Sequence, residues 1–145
     1  MPSPVAIELW ALYGLSANPR AWLVSAGRLI QEGGAHSVKL EGGAAVAESV
    51  ERIVSAGIPV MGHVGLTPQT STALGGYKAQ GRTGAAASRI ADEALALQEA
   101  GCFAIVFEAI PSSVAEALMP LLEIPVIGIG AGPAVDGQVL VFHDL

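Results

Sequence analysis

Four stretches of this chain each run from apolar residues into a polar side chain or a glycine turn. They are Val38-Lys39-Leu40-Glu41-Gly42-Gly43, Val60-Met61-Gly62-His63-Val64-Gly65-Leu66-Thr67-Pro68-Gln69, Ile105-Val106-Phe107-Glu108-Ala109-Ile110-Pro111 and Val126-Ile127-Gly128-Ile129-Gly130-Ala131-Gly132-Pro133. Parallel α/β proteins carry their chemistry at the carboxyl ends of strands. A lysine, two glutamates and a histidine on one such rim exceed what a generic core needs, and they point to an enzyme.

Lys39 and Glu41 are two apart, so in a strand they share one face. Val38 and Leu40 then face outer helices, and Lys39 and Glu41 the interior near the rim. The pair reads either as a buried salt bridge or as a metal-ligating carboxylate beside a cation for an anionic substrate. Gly42 and Gly43 favour the second reading, because glycine lets a ligand approach the backbone closely.

His63 closes the next strand. A lone strand histidine is more often a satisfied core residue, but the neighbouring Lys39 and Glu41 favour a site role. His36 and His143 lack such company and are read as structural. Glu108 ends the most apolar strand. A carboxylate buried without a partner is driven towards its neutral form, which suits a general base near neutral pH; pairing with Arg82 or Lys78 is the alternative. Gly128-Ile129-Gly130-Ala131-Gly132 lacks the lysine of a phosphate loop and reads as a tight bend, with Asp136-Gly137 as a turn. The loop Gly75-Gly76-Tyr77-Lys78-Ala79-Gln80-Gly81-Arg82 reads either as a lid over an anionic ligand or as a solvated excursion.

These residues need elements to position them. Asn18 caps a helix with Pro19 at its first position; Trp22, Ala26, Leu29 and Ile30 share a face, and Gly33 ends it. Residues 44–56 read as a second helix with Val46, Val50, Ile53 and Val54 inward. Thr83 caps a third, with Ala87, Ile90, Ala94 and Leu97 in one stripe. Ser113-Val114-Ala115-Glu116 has capping-box spacing, followed by Leu118, Leu121 and Leu122. Strands are expected at 36–41, 58–64, 103–108, 125–129 and 138–142. About five strands separated mostly by helices imply a parallel sheet, either doubly wound or a section of an eight-fold barrel.

The bulk properties fit. The 145 residues suffice for one core but not for a closed barrel of about 200–250. Composition is 52% hydrophobic and 14% charged, as buried parallel strands require. No apolar run approaches the roughly 18 residues of a membrane helix. The apolar stretch 5–15 contains Glu8 and has no basic flank, which argues against a signal peptide. A formal charge of −6 with seven basic residues argues against a nucleic-acid partner. The single cysteine, Cys102, excludes an internal disulfide and suits a reducing, cytoplasmic setting.

Taken in order, the motifs Val38–Gly43, Gly62–Gln69, Gly75–Tyr77 with Gln80–Arg82, Phe107-Glu108, Gly128–Gly132 and Asp136-Gly137-Gln138-Val139-Leu140-Val141 closely resemble ketopantoate hydroxymethyltransferases. The resemblance runs from about Tyr13 to Leu145. It implies a partial (β/α)8 TIM barrel, about strands 4 to 8, of the phosphoenolpyruvate-mutase-like type. It implies hydroxymethyl transfer from 5,10-methylenetetrahydrofolate to 3-methyl-2-oxobutanoate, a step of pantothenate synthesis that uses Mg2+. By resemblance, Glu41 is a magnesium ligand, Lys39 contacts the 2-oxo acid, Glu108 is the proton acceptor and His63 is an active-site histidine. Full-length members are expected to be homo-oligomers acting on a small 2-oxo acid and folate, without membrane or nucleic acid. Residues 1–12 do not resemble the family, whose earlier strands bring two metal-binding aspartates and a substrate-binding serine. Asp92, Asp136 and Asp144 match none of these positions. The alternatives are a non-catalytic fragment or assembly module of that enzyme, and a related magnesium-dependent 2-oxo-acid lyase or mutase.

Overall fold

The computed structural model describes residues 6–8, 18–67 and 79–140. Of the residues singled out above, Pro68-Gln69, Gly75–Tyr77, Lys78, Val141, Phe142, His143 and Asp144 lie outside the described residues.

Helix α1 (Pro19–Gln31) begins where its sequence dictates. The Asn18 side chain accepts a hydrogen bond from the Arg20 N–H at 3.0 Å, and Pro19 fills the first turn. Trp22 and Ala26 are buried on its inner face. Strand β2 (Ser37–Glu41) leads through Gly42 into a short 3-10 turn (Gly43–Val46) and then helix α2 (Ala47–Ser55). Strand β3 (Val60–Gly65) precedes helix α3 (Gly84–Glu99), whose cap is Thr83, accepting from the Ala86 N–H at 3.2 Å. Strand β4 (Ala104–Glu108) is followed by helix α4 (Ser112–Leu118) and a 3-10 turn (Met119–Leu121). Strands β5 (Val126–Ile129) and β6 (Gly137–Gln138) complete the described chain.

A further strand, β1 (Ala6–Glu8), pairs with β2 in parallel, with Glu8 in register with Lys39. The sequence reading did not anticipate it: three residues are too few to show a period. Among the described residues the sheet is therefore six-stranded, and its order is β1-β2-β3-β4-β5-β6 with every pair parallel. Strictly sequential order has no switch point, so the doubly wound alternative falls away and the barrel section stands.

Register explains the two faces. Val38, Leu40, Val60, Val64, Ile105, Phe107 and Val126 lie on one face, all essentially inaccessible and packed with Trp22, Val50, Ile53, Ile90 and Leu97 of the helices. Lys39, Glu41, Met61, His63, Val106, Glu108, Ile127 and Ile129 alternate onto the other. Burying each large aliphatic side chain contributes about 1.5–3 kcal/mol, so the helix-covered face carries most of the core.

Two local readings change. The capping box is not formed: α4 starts at Ser112 behind Pro111, whose extended backbone (ψ 138°) turns the chain into the helix, and Ser113 lies within the first turn. Asp136-Gly137 is not a simple turn. The Asp136 carboxylate accepts the Val126 N–H at 2.8 Å, its own N–H donates to the Val126 carbonyl, and Gly137 opens β6. That clamp lets residues 130–136 cross between parallel strands without a helix.

Candidate active site

Three of the four polar residues singled out by the sequence meet at the carboxyl ends of β2, β3 and β4. Register brings Glu41 opposite His63, and the β3–β4 pairing places Glu108 opposite Gly65, one step beyond His63 on the same face. His63 stands between the two carboxylates. Its Nδ1 is 3.6 Å from Glu41 Oε1, and its Nε2 is 3.3 Å from Glu108 Oε2. His63 is fully buried, Glu41 is 7% exposed and Glu108 is half-buried.

The His63 ring is oriented by the backbone. Nε2 lies 2.8 Å from the Leu66 carbonyl oxygen. A carbonyl only accepts, so Nε2 carries a hydrogen and donates it. Glu108 Oε2 lies beside the same N–H. The Leu66 N–H in turn donates to the Glu108 carbonyl at 2.8 Å. One residue, Leu66, thus ties the histidine ring to the Glu108 main chain through the peptide groups on either side of its Cα. The Nδ1 atom, buried and facing Glu41, makes no hydrogen bond among the described residues.

Lys39 lies on β2 two residues before Glu41, in register with Met61 and half-buried. It sits one layer deeper than the Glu41–His63–Glu108 row. Among the described residues the partner of Glu108 is His63; Arg82 is exposed. His36 is exposed and stands apart from this row.

The glycines after Glu41 are required by backbone conformation and packing. Gly42 and Gly43 have φ of +130° and +55°. A Cβ at Gly42 would meet Val46 at 2.8 Å, and one at Gly43 would meet Glu93 Cγ at 2.7 Å. Glu93, on α3, therefore wedges against the turn that follows Glu41. Burial pushes its carboxyl above the usual range, offset in part by Arg89. Cys102, buried beneath the sheet, is pushed up to about 12 by burial and is not a nucleophile at neutral pH.

Sequence reasoning missed Leu66 and Ala109, which act through backbone atoms. Ala109 has φ +51°, a left-handed conformation that costs a non-glycine residue about 1–2 kcal/mol. Gly65 (φ +94°) was legible as a glycine at a strand end; a Cβ there would overlap the Glu108 carbonyl oxygen.

Glu41 suits magnesium as one ligand. Magnesium is held by one or two carboxylates and keeps waters and substrate oxygens, and Glu41 with the unbonded His63 Nδ1 makes a buried, electron-rich corner. Among the described residues no group of three or more His, Cys, Asp and Glu side chains has metal-binding geometry, so the other positions would have to come from elsewhere.

Relatives include 3-methyl-2-oxobutanoate hydroxymethyltransferases from Moorella thermoacetica, 60% identical over 121 residues, from Oleidesulfovibrio alaskensis, 60% over 128, and from Thermus thermophilus, 56% over 123. These alignments cover 83%, 88% and 85% of this chain but 45%, 44% and 47% of the relatives. The chain thus spans somewhat under half the length of the curated relatives it matches. Solved structures show the fold alone. One is an isomerase from Streptomyces coelicolor A3(2), with TM-score 0.57, 17% identity and coverage of 86% of this chain and 32% of that one. Another is a chloride-inhibited dihydrodipicolinate synthase from Acinetobacter baumannii complexed with pyruvate, with TM-score 0.63, 11% identity and coverage of 97% and 56%. The profile of ketopantoate hydroxymethyltransferase matches residues 11–145. With that match, and relatives identical at more than half of the aligned positions, the chain belongs to the ketopantoate hydroxymethyltransferase family.

Proposed function

We propose that this chain is the portion of a 3-methyl-2-oxobutanoate hydroxymethyltransferase that carries the proton acceptor and one metal ligand. The observation behind the proposal is the row Glu41–His63–Glu108 across three adjacent strand ends. Glu41 would hold Mg2+, which when bound supplies Lewis-acid polarisation of a carbonyl. Lys39 is assigned to the carboxylate of the 2-oxo acid.

Glu108 takes the C3 proton of 3-methyl-2-oxobutanoate, and the C–H electron pair moves into the adjacent carbonyl to give an enolate. The enolate carbon bonds to the methylene carbon of 5,10-methylenetetrahydrofolate. Both C–N bonds of that methylene carbon break, each nitrogen keeping the electron pair and taking up a proton, one from Glu108 and one from water, and the water oxygen becomes the product hydroxyl. The products are 2-dehydropantoate and tetrahydrofolate. His63, through Nε2–H, steadies the Glu108 carboxylate during proton removal.

The partners in this reading are a small 2-oxo acid and folate, in a cytoplasmic homo-oligomer of the full-length protein. The lone buried cysteine accords with a reducing compartment. Among the described residues no helix is long and apolar enough to cross a membrane.

The test complements this chain with the N-terminal portion of the Moorella thermoacetica relative and supplies both substrates. Folate-dependent formation of 2-dehydropantoate is expected. Cleavage or rearrangement of a 2-oxo acid without folate would instead identify a lyase or mutase.

A further inference from the structure

We propose that Ala109 is a positioning residue, whose left-handed backbone holds the Glu108 carboxylate against His63. The inference rests on the reading of Glu108 as proton acceptor. Among the described residues Ala109 is the one non-glycine with positive φ, at +51°. Glycine takes that conformation freely, and alanine does so only where surrounding contacts over-determine it.

Those contacts come from three separate segments. The Ala109 N–H donates to the Ile129 carbonyl of β5 at 2.8 Å. Its carbonyl accepts from the Gln80 N–H, ahead of α3, at 2.8 Å. The Glu108 carbonyl accepts from Leu66 N–H, and the Leu66 carbonyl accepts from His63 Nε2–H, each at 2.8 Å. Gly65 leaves the Glu108 carbonyl the room it needs, since a Cβ would overlap that oxygen. The main chain leaves the sheet plane at Ala109 while the Glu108 side chain stays on the site face, 3.3 Å from His63. The surrounding hydrogen bonds impose this orientation, and within the left-handed region the Ala109 methyl group leaves a narrower range of φ and ψ than glycine would have. Glycine would relieve the strain and free the hinge.

The 145-residue chain is compared with Ala109→Gly and Ala109→Asn. Asparagine keeps a side chain and tolerates the left-handed region. One readout is urea unfolding at fixed protein concentration. The other is exchange of the His63 imidazole carbon-bound hydrogen with deuterium, measured by mass spectrometry on the His63 peptide.

Ala109→Gly is expected to fold with an equilibrium constant equal to the parent's or raised up to about fivefold. Its His63 exchange should quicken at least about threefold as the Glu108 contact loosens. Ala109→Asn should retain the parent rate. Unchanged exchange in Ala109→Gly, exchange in Ala109→Asn as fast as in the glycine variant, or a glycine variant less stable than the parent would each overturn the proposal. Substrate turnover enters neither readout, so failure of the transferase reading and failure of this one are separate results.

Discussion

At the residue scale, the site depends on His63 reaching both carboxylates at once. Its Nε2–H is committed to Leu66 and Glu108, and its Nδ1 faces Glu41. A single protein carboxylate is a weak magnesium site without substrate oxygens and further ligands. Titration calorimetry on this chain should accordingly show weak or no Mg2+ binding; tight stoichiometric binding lost on Glu41→Ala would show that the site is complete here. Gly65 is the backbone counterpart of this argument. Gly65→Ala combines a φ of +94° with overlap on the Glu108 carbonyl. It should cost at least roughly 2 kcal/mol in urea unfolding, whereas a loss within about 0.5 kcal/mol would mean the turn is free to rearrange.

At the element scale, α3 braces the β2 end through Glu93. A carboxyl whose folded pKa lies above its unfolded value binds its proton more tightly when folded. Its unfavourable contribution therefore sets in as pH rises from about the ordinary value of 4.5 through the raised one, and is complete above that. Glu93→Gln should thus stabilise the protein at pH 7 and flatten that part of its pH–stability profile; an unchanged profile would place Glu93 in solvent.

Much at this scale was legible in the sequence. Asn18-Pro19 and Thr83 cap the helices they announce, and the i, i+2 spacing of Lys39 and Glu41 gave their shared face. Glu41, His63 and Glu108 were legible because strand ends concentrate polar side chains after apolar runs. What escaped depends on main-chain geometry. The left-handed turn at Ala109, the Leu66 carbonyl and the wedge of Glu93 on Gly43 leave no side-chain pattern. The capping-box spacing at Ser113 misled, because Pro111 fixes the chain entry two residues earlier. At Gly42-Gly43 the packing against Val46 and Glu93 could not be read from the sequence, because packing and ligand approach call for the same residue.

At the scale of the whole molecule, six parallel strands follow one another in chain order with helices packed on one face. Within the described sheet, β1 and β6 each have a single neighbour, and strand edges of this kind template pairing with other chains. With somewhat under half the length of its relatives, the 145-residue chain on its own should self-associate in size-exclusion chromatography and show no hydroxymethyl transfer. A monomeric, active chain would refute this. Supplying the relative's N-terminal portion should recover solubility and turnover together. The most direct measurement is deuterium exchange at C3 of 3-methyl-2-oxobutanoate, followed in that complemented protein with Glu108 and with Glu108→Gln. The substitution should abolish exchange while 2-oxo acid binding stays within about threefold of the parent's, a change worth well under 1.4 kcal/mol. Undiminished exchange in Glu108→Gln would contradict the assignment of Glu108 as the base.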